Sequence, residues 1–560
     1  MAGFMMPAGI EFFEQLRRNG CYYVDKSELI YKIAEQKNIS VTLFTRPRRF
    51  GKTLTMSMLE SFFDITRDSR DVFEGLDILK HKEFCIEWMN QYPVMMLSLK
   101  DAASLDFATA YKKLKSSIAG LCIAHAYLES SDKVDPADAE VFKKLKFKEA
   151  DDDEVQNALL ILTRMLNAHY GRQVILLIDE YDVPLAKADY YPKMLEAVRG
   201  LMSSALKTNL FLKFAVITGC LRIAKESVFT GVNNFATYSI LDEWFSDSFG
   251  FTETEVKEIL KEAGLTDRLA LIKSWYDGYI FGNTEVFCPW DVAKYVDSVK
   301  KVPGKAPDNF WKNTSSNDII DHFVDDEKFQ VSDKFETLLN GGTIEQTITD
   351  QLTYGELKDD ENNLWSVLFM TGYLTKADKT ETGNTVHLRI PNAEISSIFE
   401  DSVVKHFRGS LDRNIQKEVM DALWNKQENE ASKLITGLLW DTISYHNYHE
   451  NYYHAFITGI FAGEAYSVKS DQENGLGRTD IVIRDRKNRR AVIIEAKKSK
   501  QKKDMETMCL EAKQQIIDRK YSEDLSFDGY HEIICYGISF YKKYALIRLL
   551  DLGEKVCPRV

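Results

Sequence analysis

Over the first 245 residues the apolar positions come in unbroken runs rather than in alternation. ISVTLFT (39–45), YPVMMLSL (92–99), VILLIDEYD (174–182) and LFLKFAVITG (210–219) each read as a strand buried on both faces. Segments with helical spacing separate them, among them LTMSMLESFF after the loop RPRRFGKT and a charged, helix-prone stretch after YPVMMLSL. The acidic stretch EADDDE (149–154) reads as a solvated helix start or loop. Strands alternating with helices predict a parallel sheet covered on both faces, an α/β module over residues 1–245.

From 246 to 400 the pattern changes. TETEVKEILKEAGL opens on a threonine suited to a capping box and continues as an amphipathic helix. The aromatic-rich pieces WYDGYIFGNTEVFCPWDVAKYV, FWKNTSSN and WSVLFMTGYLT follow. They predict a mainly helical middle module with a small hairpin. Residues 401–455 read as helical and 456–560 alternate again, so 401–560 forms a third, α/β module. The chain shows no internal repeat and no long low-complexity linker.

Length agrees with this division, because 560 residues exceed a single core and domains run to about 150 residues each. The hydrophobic share of 44% and charged share of 28% fit a soluble globular chain. A formal charge of −13 excludes a generally basic nucleic-acid coat but leaves room for a local basic groove. The eight cysteines are scattered without a CxxC pair, which fits neither a zinc site nor a disulfide framework. Glu11 and Glu14 interrupt the place where a signal peptide needs its apolar core, and no run of about 18 apolar residues exists. The expectation is a cytoplasmic protein with no membrane partner.

Gly51-Lys52-Thr53 stands between a predicted strand and helix, as in a phosphate-binding loop, although Arg46 occupies the place of the first glycine. Amides at a helix start cradle phosphate. Lys52 is placed to reach the β/γ-phosphates and the Thr53 hydroxyl to hold Mg²⁺. Arg49, Phe50, Gly51, Lys52, Thr53 and Leu54 form the expected nucleotide-contacting stretch. Asp179, at the end of its apolar run, can bind the same Mg²⁺, and Glu180 can polarise the attacking water. In VITGCLRIAKE, Thr218 is a candidate to sense the γ-phosphate and Arg222 to act as a sensor or an arginine finger.

The second chemical constellation is GRTDIVIRDRKNRRAVIIEAKKSK (477–500). In an antiparallel hairpin the start of one strand lies beside the end of the other, which brings Asp480 near Glu495. Alternation sends Glu495 and Lys497 to one face, while Ala496 can still offer a carbonyl to a metal. Paired carboxylates with a lysine suit Mg²⁺-dependent phosphodiester cleavage. Residues 484–503 hold ten Lys/Arg against two acids, a local positive field. From this spacing alone, an exposed hairpin with charged edges fits equally well.

LFTRPRRFGKTLTMSML, YYVDKSELI, LLIDEYDVPL and ITGCLRIAKESVFTGVNN resemble the predicted AAA-ATPase-like family common in gut bacteria, in which an arginine at position 46 is usual. WYDGYIFG, CPWDV and FWKNTSSND continue that resemblance. GLGRTDIVI, AVIIEAKKSK and QQIIDRKY resemble the PD-(D/E)XK nuclease superfamily, with Thr479-Asp480 in place of the usual Pro-Asp. The resemblance implies a P-loop NTPase (AAA-like) sheet domain, a helical middle domain and a nuclease-like α/β domain. It implies nuclease roles for Asp480, Glu495 and Lys497, support from Gln515, and a further acid, Glu464 or Glu473. ATP and Mg²⁺ are the expected cofactors, nucleic acid (DNA before RNA) the expected partner, and a homo-oligomer is compatible with an AAA-like module. The expected function is a nuclease licensed by ATP binding and hydrolysis; the alternative is a nucleotide-dependent binding switch with an idle nuclease fold.

Overall fold

The computed structural model describes residues 4–185, 191–222, 228–229, 231–232, 234–311, 332–339, 341–349, 352, 360–381, 383–410, 413–442, 450–461, 467–470, 481–518, 525–526 and 528–550. The chain gathers into two compact units, 1–310 with 345–393 and 311–344 with 394–560.

In the first unit, β1 (Val41–Thr45), β2 (Val94–Ser98), β3 (Val174–Asp179), β4 (Leu212–Gly219) and β5 (Phe235–Tyr238) form one sheet in the order β2-β3-β4-β1-β5. Every pairing is parallel. Successive residues feed opposite cores: Leu176 and Ile178 join Leu43 and Leu97 on one face, while Ile175 and Leu177 join Phe44 and Val216 on the other. That double burial is why these strands are apolar throughout. Four of them were legible as such runs; β5 was not, because all four of its residues are half-exposed at the sheet edge. EADDDE resolves into a capping box, with Asp151 and Glu154 bonding each other's backbone amides ahead of helix Asp152–Gln156.

The same unit continues with helices Glu253–Ala263, Leu269–Tyr276 and Pro289–Lys301, which share a core including Val256, Ile259, Tyr276, Val292 and Val296. Thr252 and Glu255 close the expected capping box, and Gly264 ends that helix in the left-handed region. The hairpin is β6 (Tyr279–Phe281) with β7 (Thr284–Val286). A further three-stranded sheet was not anticipated: β8 (Ile344–Thr347), β9 (Thr375–Lys376) and β10 (Thr385–Arg389), in the order β8-β10-β9. β8 and β10 alternate buried and exposed residues over only four and five positions, and β9 has two.

The second unit is built on β11 (Ser467–Ser470), β12 (Ile481–Asp485), β13 (Arg490–Lys498), β14 (Glu532–Tyr541) and β15 (Tyr544–Leu549), ordered as in sequence. Only β13 and β14 run parallel. Helix Glu428–Thr442 lies along β15. Glu428, Ser432 and Thr436 accept hydrogen bonds from the amides of Leu549 (2.7 Å), Ile547 (2.9 Å) and Ala545 (3.0 Å). Tyr453 stacks on Phe540 at 4.3 Å, tying helix Glu450–Phe461 to β14. Among the described residues no helix is long and apolar enough to cross a membrane.

Candidate functional site

The loop after β1 is shaped by the residue that breaks the glycine pattern. Arg46 is fully buried, and its guanidinium donates to the carbonyls of Thr45 (2.9 Å), Tyr238 (2.9 Å) and Phe245 (3.2 Å). It also lies 5.1 Å from the ring of Phe249 and 5.5 Å from that of Phe281. Burial lowers its pKa to about 10, which leaves it charged at neutral pH. Arg49 (φ 72°) and Gly51 (φ 83°) both take the left-handed conformation, and at Gly51 only glycine adopts it without strain. Helix Lys52–Phe63 starts at Gly51 with no side-chain cap, so its first amides remain open to an anion.

Lys52 is buried, donating to the carbonyls of Arg46 (3.0 Å) and Pro47 (3.1 Å), with Cys220 Sγ at 3.4 Å. Burial alone would lower its pKa; the negative field of Cys220, Glu180, Asp182 and Asp179 reverses this and raises it. Asp179, fully buried at the end of β3, accepts from Thr53 Oγ1 at 2.7 Å and from Thr218 Oγ1 on its other oxygen. Burial pushes the Glu180 pKa up, against the pull of Lys52.

Two neighbours in DEYD went unread in the sequence. Asp182 accepts from the amides of Cys220 (3.0 Å) and Leu221 (2.9 Å), and Tyr181 donates from its hydroxyl to the Leu221 carbonyl (2.9 Å). A side chain at Gly219 would meet both, with a Cβ 2.7 Å from the Tyr181 ring and 2.8 Å from Asp182 Oδ1. The two residues thus fasten the β4 loop that leads to Arg222. Arg222 itself is half-buried, and its carbonyl accepts from the Leu352 amide at 3.1 Å. The half-buried Leu54 side chain packs against the apolar core.

On β13, Glu495 is fully buried and neither of its oxygens has a well-formed hydrogen bond among the described residues. Lys497 Nζ stands 3.1 Å from Oε1, as the alternation of a strand requires of residues two apart. The pairing of β12 with β13 ends at Ile481 opposite Ile494; the next residues in sequence are Asp480 and Glu495. Asp480, Glu464 and Glu473 lie outside the described residues. Glu495 pairs with Gly537 on β14, where a Cβ would sit 2.5 Å from the Cys509 carbonyl. That close approach seats helix Met505–Asp518, which carries Gln515, half-buried, with an Oε1 that has no partner among the described residues. In the turn, Arg490 bonds Asp485 at 3.0 Å and stacks over Trp424 at 4.2 Å, while Arg486, Lys487 and Arg489 are exposed.

Among the described residues no three His, Cys, Asp or Glu side chains converge as a metal cage. The donors present are oxygens: Thr53 and Asp179 at one place, Glu495 at the other. They suit Mg²⁺, which takes one or two carboxylates and completes its shell with water or substrate phosphate.

Residues 7–229 match the family described as "Predicted AAA-ATPase", and residues 448–548 match the PD-(D/E)XK nuclease superfamily. The chain joins a predicted AAA-ATPase to a PD-(D/E)XK nuclease-superfamily domain. The AAA-ATPase region contains Arg46 to Leu54, Asp179 to Asp182, Thr218 and Arg222; the nuclease-superfamily region contains Glu495, Ala496, Lys497 and Gln515. One relative is 23% identical over 500 residues, 85% of this chain and 86% of its own: an "Uncharacterized protein in vnfD 5'region" from Azotobacter chroococcum mcd 1. The ORC2 protein of Aeropyrum pernix, solved as ADPNP-ADP complexes, aligns over 72% of this chain and 97% of its own at 9% identity. Its TM-score of 0.25 is too low to carry an argument.

Proposed function

We propose that this chain is a nuclease under nucleotide control, acting in the cytoplasm, with working boundaries at 1–245, 246–400 and 401–560. At the AAA-ATPase module, Lys52 and the amides after Gly51 bind the ATP phosphates, with Arg49, Phe50 and Leu54 shaping the loop around them. Thr53 and Asp179 hold Mg²⁺. Glu180 takes the proton of the attacking water, while Thr218 and Arg222 report the γ-phosphate.

At the nuclease module, Asp480, Glu495 and the Ala496 carbonyl hold Mg²⁺. A Mg²⁺ held there would supply Lewis-acid polarisation of the scissile phosphate. Lys497 steadies the hydroxide and the charge that develops on the phosphate, and Gln515 supports that geometry. Arg486, Lys487 and Arg489 draw in the DNA backbone. The observation that carries the reading is the fully buried Glu495, whose Oε1 faces Lys497 Nζ at 3.1 Å while its Oε2 has no hydrogen-bond partner among the described residues. Burying a carboxylate in this way is costly unless a cation completes it.

The test incubates purified protein with DNA or RNA and Mg²⁺, with and without ATP. Cleavage by wild type, modulated by ATP and lost in Asp480→Ala, is expected. Equal survival of DNA and RNA with both proteins in every condition overturns the nuclease. Retained, salt-sensitive DNA affinity without cleavage would point to the switch with an idle nuclease fold.

A further inference from the structure

The motifs DGYIFG (277–282) and CPWD (288–291) lie outside both family matches, and the proposed function assigns them nothing. The fold places both against the phosphate loop. Phe50 is 1% exposed, and its ring meets Tyr279 edge-on at 5.0 Å and Phe281 at 5.0 Å. Phe281 also lies under the Arg46 guanidinium. Arg49 Nη1 stands 3.8 Å from Oδ1 of Asp291, a fully buried acid in the first turn of helix Pro289–Lys301. The Cys288 thiol faces the Arg49 carbonyl at 3.9 Å. Three loop residues, 46, 49 and 50, therefore have their side chains seated in the hairpin and helix.

That seat is itself fixed. Gly282 approaches Asp242 so closely that a Cβ would lie 2.6 Å from its carbonyl, and the buried Lys376 donates to the Gly282 carbonyl at 2.6 Å. A left-handed arginine is strained and persists only where its surroundings hold it. At Arg49 those surroundings are Asp291 and Cys288.

We infer that Tyr279, Phe281 and Asp291 are positioning residues of the phosphate loop. They hold Arg49 and Phe50 so that Lys52 and the amides after Gly51 face the phosphates, and nucleotide binding in turn stiffens the hairpin and the helix start. The inference rests on the proposed nucleotide site and adds to it the element that braces it. Coupling of this kind is reciprocal, since a brace that aids binding is steadied by binding.

The test uses the full chain with Mg²⁺ and a non-hydrolysable ATP analogue. In wild type, amide exchange is expected to slow in two segments, 46–58 and 277–292. Asp291→Asn and Phe281→Leu are each expected to weaken the analogue about tenfold, and Asp291→Glu to recover most of that loss. Protection confined to 46–58 overturns the inference, as does wild-type affinity in Asp291→Asn and Phe281→Leu while Lys52→Ala binds nothing. If Asp291→Asn fails to fold, Phe281→Leu and the wild-type exchange pattern still decide. Absence of protection at 46–58, with wild type and Lys52→Ala equally unable to bind, overturns the nucleotide site itself and the brace with it.

Discussion

Asp277, at the head of DGYIFG, is 3% exposed, and burial raises its pKa to about 6 despite a hydrogen bond from the Gly278 amide. Its folded pKa lies above the unfolded value, so the folded chain holds this proton more tightly. The stability this contributes is present below about pH 4 and is lost as pH rises through about 6. Asp277→Asn is therefore expected to melt with wild type near pH 4 and several degrees above it near pH 8; equal melting curves at both values would refute the assignment. At this scale, what the sequence disclosed depended on how local the chemistry is. Lys52 and Thr53 were legible because a short motif sets their roles, and Asp179 because an apolar strand ends on it. Tyr181 and Asp182 were not, since their partners stand 40 and 38 residues away. Arg46 was visible as an exception to the glycine pattern. Its burial under three carbonyls needed the fold, because Tyr238 and Phe245 lie far along the chain.

Elements announced themselves when one face or both were continuous. Strands β1 to β4 and the Thr252-capped helix were of this kind, whereas β5 and the strands of the β8-β10-β9 sheet were too short or too exposed. Around Glu495, the alternation along β13 was readable, but the seating of the helix above it depended on Gly537, which carries no chemical signal in the sequence. Gly537→Ala would drive a methyl against the Cys509 carbonyl and lift helix Met505–Asp518 from β14. The expected cost is about 1–3 kcal/mol in urea unfolding, with a larger fractional loss in cleavage than Gly120→Ala, where a Cβ meets nothing within 4 Å. Equal behaviour of the two variants would remove Gly537 from the argument.

For the whole molecule, a charge of −13 coexists with a basic segment whose residues divide their labour. Arg490 is committed to Asp485 and Trp424, whereas Arg486, Lys487 and Arg489 are exposed. Replacing those three with alanine is expected to reduce the slope of log affinity against log salt by about 2–3. An unchanged slope would mean that DNA, if bound, is held elsewhere. Neither the sign of the whole chain nor the count of basic residues could make this division; only the pairing of Arg490 does. Helix Glu428–Thr442 has a consequence for how the molecule is made. An uncovered strand edge is a template for a second chain, and β15 is synthesised after the helix that covers it. The helix whose Glu428, Ser432 and Thr436 claim that edge leaves the ribosome roughly a hundred residues earlier. Its cover is therefore already waiting when β15 emerges, and the nascent sheet has a partner of its own before it can meet a neighbour's.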